Sequence, residues 1–387
     1  MLPTTNQIQG REAMAEVPVN GKVLQWARAI RGLGIDSAAA LLDVSPDELR
    51  AYESGEKRPL VGFLRLMSAK YRINFTSLLM PEPLPIEKPP TDHRVRYGER
   101  PLSLDTLVAI EEVNEALEAF EDIQSETRRI VPTLNIGEAQ LGDDPETVAA
   151  RERRRFGVSI EEQRTWRRLD EARRQWRRRI EDRGVFTYMI PLPPEELSGF
   201  SILRDELAAI CINDREPTEG AKIFTFFHEY CHLLLRQTGI SDENNRNRVE
   251  RFCNDFAASF LIPRNPLIEA IGDVETPYEF SDADVKRLAI RFRVSNRATA
   301  LRLEKTGLAP TGFYERRTAP WDLPSEPRPV TSERQPSPVT LRIKRIGRLH
   351  TATVLRAVER RVINSFDASE LIGLRPATFG KVEAALG

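Results

Sequence analysis

The chain has 387 residues, 40 % of them hydrophobic and 30 % charged, with a formal net charge of −1. That length exceeds what one ordinary core organises, so two or three domains are expected. The near-neutral balance excludes a protein that coats nucleic acid or membrane through bulk charge, and three cysteines exclude a disulfide framework. The opening MLPTTNQIQGREAMAEV lacks the basic start and apolar core of a signal peptide. No window approaches the roughly 18 apolar residues a membrane helix needs. A cytoplasmic, reduced protein with no membrane partner is the expectation.

Residues 1–20 read as a flexible N-terminus, and 21–80 as a small all-α module of short amphipathic helices with tight turns. Within it, DSAAALLDVSPDELRAYESGEKRP resembles the helix-turn-helix of the lambda-repressor/Cro-like (XRE) family. Ser45 is placed to N-cap the second helix, Pro46 to occupy its first position, and Glu48 to complete a capping box. That helix would have to read bases from its first turn, yet the turn carries Asp47 and Glu48, which repel phosphate. Arg50, Lys57 and Arg58 are the candidate DNA contacts, to the backbone. Docking onto a protein partner of similar fold is the other reading.

Residues 81–101 are rich in proline and read as a linker. The middle, 102–318, opens with helices over 102–129. A basic segment follows at 151–184, with thirteen arginines against seven acids. Phe156, Trp166, Leu169, Trp176 and Ile180 recur there near helical spacing, which favours an apolar stripe with a charged outer face over nucleic-acid binding. VFTYMIPL (185–192) and LAAICIN (207–213) read as strands. Helices, a few strands, then helices describe a multidomain, mainly α chain with an α+β part.

The chemistry concentrates in FFHEYCHLLL, residues 226–235, which holds two of the chain's four histidines. Four residues apart on a helix, His228 and His232 lie one turn apart on one face and can hold a single ion. Glu229 between them completes H-E-x-x-H, the arrangement in which a glutamate acts as general base beside a zinc ion. Chance alone would produce it on the order of 0.003 times in such a chain. Catalytic zinc takes a third protein ligand, and RNRVERFCNDFAASFLIP offers Glu250. Asn254, one turn on, can support a ligand by hydrogen bonding. Small residues at 257–259 would let the two helices approach. Tyr230, Tyr314 and several arginines stay open as oxyanion stabilisers. Structural zinc is usually closed by four ligands and rich in thiolates; Cys231 and Cys253 form no paired motif and read as small hydrophobes.

FTFFHEYCHLLL followed by VERFCNDFAASFLIP resembles the ImmA/IrrE family of bacterial metallopeptidases. GVFTYMIPLPPEELSGFSI and AAICIN resemble that family's strands before the active-site helix. DADVKRLAIRFRVSNRATALRLEKTGL (282–308) resembles its helix-turn-helix-like segment, with Ser295, Asn296 and Arg297 opening the second helix. The resemblance implies a gluzincin-like domain with a small sheet. Its metal ligands would be His228, His232 and Glu250, and its base Glu229. It implies zinc, with manganese also compatible, and a protein substrate that is a transcriptional repressor, cleaved to release stress, DNA-damage or mobile-element genes. The alternative is a DNA-binding regulator or antitoxin of a toxin–antitoxin-like pair, in which the peptidase-like fold binds a toxin partner or forms a homodimer.

Residues 319–340 form a second proline-rich linker, and 341–387 a small helical C-terminal segment in which His350 is isolated and reads as structural.

Overall fold

The computed structural model describes residues 16–83, 102–127, 130–236, 243–318 and 336–386. Most of both proline-rich stretches and the first fifteen residues lie outside the described residues. The chain divides into two units, one made by 16–83 with 102–111 and the other by 112–386.

The first unit holds α1 (Gly21–Ala29), α2 (Ile35–Leu42), α3 (Pro46–Ser54), α4 (Val61–Tyr71) and a 3-10 turn, Phe75–Leu79. α2, α3 and α4 stop at the left-handed residues Asp43, Gly55 and Arg72, a conformation that ends a helix by satisfying its last carbonyls. Leu24, Ala27, Ala39, Leu42, Leu49, Leu64 and Met67 fill the core between them. A Cβ on Gly21 would lie 2.3 Å from the Glu53 carbonyl oxygen, so only glycine lets α1 start against the end of α3. Arg28 then clasps the Glu53 carboxylate with hydrogen bonds of 2.7 and 2.8 Å. Residues 16–20 are tied down, Val17 N–H donating to Pro59 O at 3.0 Å. Ser45 Oγ accepts the Glu48 N–H at 3.1 Å, as the sequence predicts. The second half of the capping box is replaced: the Glu48 carboxylate accepts from Tyr52 Oη at 2.9 Å and pairs with Lys57. A cation is a stronger partner for a carboxylate than a neutral backbone N–H.

The second unit contains residues 112–126 of α5 (Leu104–Glu126) and α6 (Pro145–Phe156), α7 (Ile160–Thr165) and α8 (Leu169–Glu181). Strands β1 (Val185–Ile190), β2 (Gly199–Arg204) and β3 (Leu207–Asn213) follow. The sheet order is β1-β3-β2, with β1 parallel and β2 antiparallel to the central β3. β1 and β3 are buried along their whole length, which explains why they read as unbroken apolar runs rather than alternating ones. β2, whose first four residues are buried although Gly199 and Ser201 break its apolar run, is not distinct as a strand by its own pattern.

Behind the sheet come α9 (Glu219–Leu235), α10 (Glu243–Leu261), α11 (Arg264–Ile271), α12 (Asp282–Phe292), α13 (Asn296–Lys305) and α14 (Phe313–Thr318). Val185 and Met189 of β1 join the apolar cluster that contains Phe226, Phe227 and Tyr230 of α9. Asn213 staples the β1–β2 connection: its Oδ1 accepts from Leu192 N–H at 2.9 Å and its Nδ2 donates to Leu192 and Leu197 carbonyls at 3.1 and 3.0 Å.

The carbonyls at the end of α10, which have no partners within the helix, are met by side chains from three elements. Arg153 of α6 donates to Phe260 O at 2.7 Å, Gln163 of α7 to Leu261 O at 3.0 Å, and Arg302 of α13 to Ile262 O at 2.8 Å. This work occupies part of the basic segment. Arg173 and Arg177 are buried in ion pairs with Glu219 and Glu181, and Arg183 stacks over Phe156. Phe156, Trp166, Trp176 and Ile180 are buried. The arginine-rich stretch therefore builds the domain, as the stripe predicts.

The C-terminal helices α15 (Pro338–Ile346) and α16 (Arg348–Glu359) pack onto the other face of β1, and α17 (Ser365–Ile372) and α18 (Phe379–Leu386) pack onto them. Phe186 stacks on Phe120 of α5, with ring centroids 4.4 Å apart, and Phe120 meets His350 edge-on at 4.9 Å. His350 Nε2 lies 3.1 Å from Leu371 O, which can only accept, so Nε2 carries the proton and Nδ1 accepts from Tyr188 Oη at 3.0 Å. Burial pushes the His350 pKa down to about 3, so the ring is neutral in the fold.

The unfolded chain takes up a proton near pH 6.5 that the folded ring refuses until about pH 3. Stability from this group is full above pH 6.5 and falls as pH drops through that window, by up to about 1.4 kcal/mol per pH unit. His350→Gln is expected to flatten the loss between pH 6.5 and 4.5 in urea unfolding, relative to the wild type. Parallel pH curves for the two proteins would refute it.

Candidate metal centre

Helix α9 begins at Thr218, whose Oγ1 accepts the Ala221 N–H at 3.0 Å. Its apolar residues lock it between the sheet and α10, Phe227 stacking on Phe260 with centroids 4.1 Å apart. Ala257 and Ala258 of α10 are buried, and their small side chains allow the close approach. That packing turns one face of α9 toward Glu250.

His228 Nε2 and His232 Nε2 lie 3.2 Å apart, and His228 Nε2 is 3.3 Å from Glu250 Oε2. One ligand atom from each of the three falls within 4.8 Å of the others. The Nδ1 of His228 is 2.9 Å from Asn254 Oδ1, an amide oxygen that only accepts. The proton therefore belongs on Nδ1, and the lone pair on Nε2. That lone pair, His232 Nε2 and a carboxylate oxygen converge on one point, where a cation or a shared proton can satisfy all three. Two neutral imidazoles and one carboxylate form a donor set that suits zinc, and the three could hold it. The Glu250 side chain is 33 % exposed, so the group is open on one side, as a site that admits substrate requires.

Glu229 is 4 % exposed and points to the flank, where its Oε2 accepts from Ser201 Oγ on β2 at 3.0 Å. The sheet edge comes that close because residue 199 is glycine: a Cβ there would meet Thr225 Cγ2 at 2.8 Å and Glu229 Cγ at 3.3 Å. Alternation along β2 puts Gly199 and Ser201 on the same face.

The sequence-selected His228, His232, Glu229, Glu250 and Asn254 are thus together. Tyr230 is not with them: it turns into the core and donates to Glu152 Oε2 at 3.0 Å. Tyr314 packs at the margin of the apolar cluster, its N–H donating to Glu304. Neither tyrosine stands among the candidate ligands. Arg50, Lys57 and Arg58 belong to the other unit. There Arg50 pairs with Asp47 at 2.6 Å, Lys57 pairs with Glu48, and Arg58 is exposed. Two residues escaped sequence reading. Ser201 carried no signal until β2 was paired. Cys253, three after Glu250, could have been found from helical spacing, and its Sγ lies 3.4 Å from His232 Nδ1.

A helix bearing two histidines and a glutamate, crossed by a second helix bearing a glutamate and laid on a small sheet, has the form of a metallopeptidase site. Residues 180–304 match the model of the Peptidase_M78 family, described as the IrrE N-terminal-like domain. The match spans the sheet, α9, α10 and the α12–α13 pair, and supports an ImmA/IrrE-like metallopeptidase domain in this part of the chain. No curated protein and no solved structure matches the chain. No described helix is long and apolar enough to cross a membrane.

Proposed function

We propose that the chain is a zinc-dependent endopeptidase that cleaves a transcriptional repressor or similar regulatory protein. The observation that carries this reading is the convergence of His228, His232 and Glu250 beside a buried Glu229 held by Ser201. A bound zinc would supply Lewis-acid polarisation of the scissile carbonyl. Glu229 would take a proton from the attacking water on the carboxylate oxygen not engaged by Ser201, then pass it to the leaving amine. Ser201 keeps that carboxylate oriented, and Asn254 keeps the His228 ring in register. Manganese is the other cation this donor set tolerates.

His232→Ala and Glu250→Ala are each expected to weaken zinc binding by on the order of a hundredfold or more, since even outer-shell partners are worth 10–100-fold. Competition against a chelator measures it, and wild-type affinity in either variant would remove that residue from the ligand set.

The repressor as substrate class rests on the resemblance and on the N-terminal helices, which we read as an XRE-like helix-turn-helix. Asp47, whose side chain is 92 % exposed at the start of α3, favours docking to protein over reading of DNA, because an acid there repels phosphate. The α12–α13 pair is read as structural or as a docking surface for the substrate, not as a reader of bases. Ala298, Thr299 and Ala300 at the start of α13 are buried, and a Cβ on Gly220 would strike Ser295 at 2.8 Å. That close packing leaves the start of α13 no room to enter a groove.

The test compares new protein N-termini in cells carrying the wild type or Glu229→Gln, with and without DNA damage. A repressor fragment seen only with the wild type establishes the function. Identical N-termini, with folded and zinc-loaded protein in both, would shift the assignment to a regulator or antitoxin with a toxin partner.

A further inference from the structure

An imidazole that offers Nε2 to a cation must carry its proton on Nδ1, and that N–H needs an acceptor which also sets the plane of the ring. For His228 the acceptor is Asn254 Oδ1 at 2.9 Å. For His232 the group at hydrogen-bonding distance from Nδ1 is Cys253 Sγ, at 3.4 Å, within the range sulfur allows. His232 is 5 % exposed and Cys253 fully buried, so bulk water has little access to take the thiol's place. Sulfur is a weak acceptor, but a buried N–H left without any partner costs more than a weak bond gains.

The arrangement follows from helical spacing. Residues 250, 253 and 254 lie on one side of α10, so one turn of that helix carries a ligand carboxylate and the orienting groups of both histidines. We infer that Cys253 is the positioning residue of His232, its sulfur accepting the Nδ1–H and holding Nε2 toward His228 and Glu250. This rests on the reading of His232 as a zinc ligand. It replaces the assignment of Cys253 as a plain small hydrophobe, under which alanine would serve equally well.

The experiment uses the full chain as wild type, Cys253→Ala and Cys253→Ser. Zinc affinity is measured by chelator competition, melting is measured without metal, and His232 is followed in long-range proton–nitrogen NMR spectra of the zinc-loaded protein. Cys253→Ala is expected to bind zinc roughly tenfold more weakly while its metal-free melting temperature stays at the wild-type value, because without metal the His232 proton can sit on Nε2 and find His228 Nε2, 3.2 Å away, as its acceptor. Cys253→Ser, whose hydroxyl can accept the same proton, is expected to restore most of the affinity and to move the His232 Nδ1 resonance. Wild-type affinity in Cys253→Ala overturns the inference. So does a loss in both variants that merely tracks a lower metal-free melting temperature, or an unmoved Nδ1 resonance in Cys253→Ser. A wild type that binds no zinc overturns the metal reading itself, and this inference with it.

Discussion

Glu229→Gln is expected to bind zinc with wild-type affinity and to lose roughly a hundredfold to ten-thousandfold of its cleavage rate, the span that a positioned general base contributes. The substitution is nearly isosteric. A glutamine carbonyl can accept the Ser201 Oγ–H that the Glu229 carboxylate accepts at 3.0 Å, so the side chain keeps its place. The three groups that converge, His228, His232 and Glu250, are untouched. What disappears is the ability to take a proton, because an amide oxygen is far too weak a base. Removing a charge that is 4 % exposed also relieves a desolvation cost, so melting should not fall. The measurement is cleavage of a fluorescent repressor-derived peptide by zinc-loaded protein, with metal content determined on the same sample. Undiminished cleavage by the metal-loaded variant would sink the proposed base. Lost metal would mean that Glu229 acts in the ligand set instead.

The second large effect is expected from ending the chain at residue 318. The four helices from Pro338 to Leu386 carry no candidate ligand, yet they complete the unit that does. Arg177 is buried on α8, where its Nε donates to Thr187 Oγ1 at 2.7 Å and another guanidinium nitrogen donates to Lys344 O. Glu181 accepts from Thr187 Oγ1 and from the Arg348 N–H. Burial lowers the Arg177 pKa and raises that of Glu181, which is the mark of charges that depend on their partners. Gly347 passes through this knot at φ +85°, where a Cβ would lie 2.6 Å from both Glu181 Oε1 and Thr187 O.

Truncation would strip the Lys344 carbonyl and the Arg348 N–H from a buried ion pair, at about 1–3 kcal/mol for each buried polar group left unsatisfied. It would also expose Phe186 and Tyr188, at about 1.5–3 kcal/mol for each large apolar side chain uncovered. A domain with about 5–15 kcal/mol in hand does not survive that comfortably. Lys344 further links the tail to α9 through Asp214, at 2.7 Å, which in turn holds Lys222 at 3.0 Å. Loss of cooperative melting and of zinc binding together is therefore expected. Leu341→Ala, at a side chain that is half exposed, serves as a control expected to leave both intact. A truncated protein that melts and binds zinc as the full chain does would show that the tail is an appendage.

The contrast between these two cases explains what could be read from the sequence. His228 with His232, and Glu250 with Asn254, were legible as candidates because each pair is related by one helical turn, and a helix repeats itself without knowledge of its surroundings; Glu229 was legible as the second residue of H-E-x-x-H. The crossing of α9 and α10 was legible to the extent that alanines at 257 and 258 announce close packing. β1 and β3 were legible as unbroken apolar runs. β2 was not, because Gly199 and Ser201 interrupt its apolar residues and read as turn residues until the pairing to β3 is known.

Ser201 became a partner of Glu229 only through antiparallel pairing to β3, and the close approach at Gly199 follows from that same pairing. The Glu48 capping box failed for a similar reason. The local pattern was right, but Tyr52 and Lys57 competed for the carboxylate, and a charged partner wins. Most of the thirteen arginines were sorted by tertiary structure into ion pairs, aromatic stacks and caps on the end of α10.

What the sequence determined alone is the set of groups that could hold a metal and the helices that carry them, because those relations are local and periodic. Tertiary structure decided which strand meets Glu229, which thiol meets His232, and that the last fifty or so residues pack onto β1. Each of those depends on groups far apart in the chain, whose meeting is set by packing and by the partners that buried polar atoms must find.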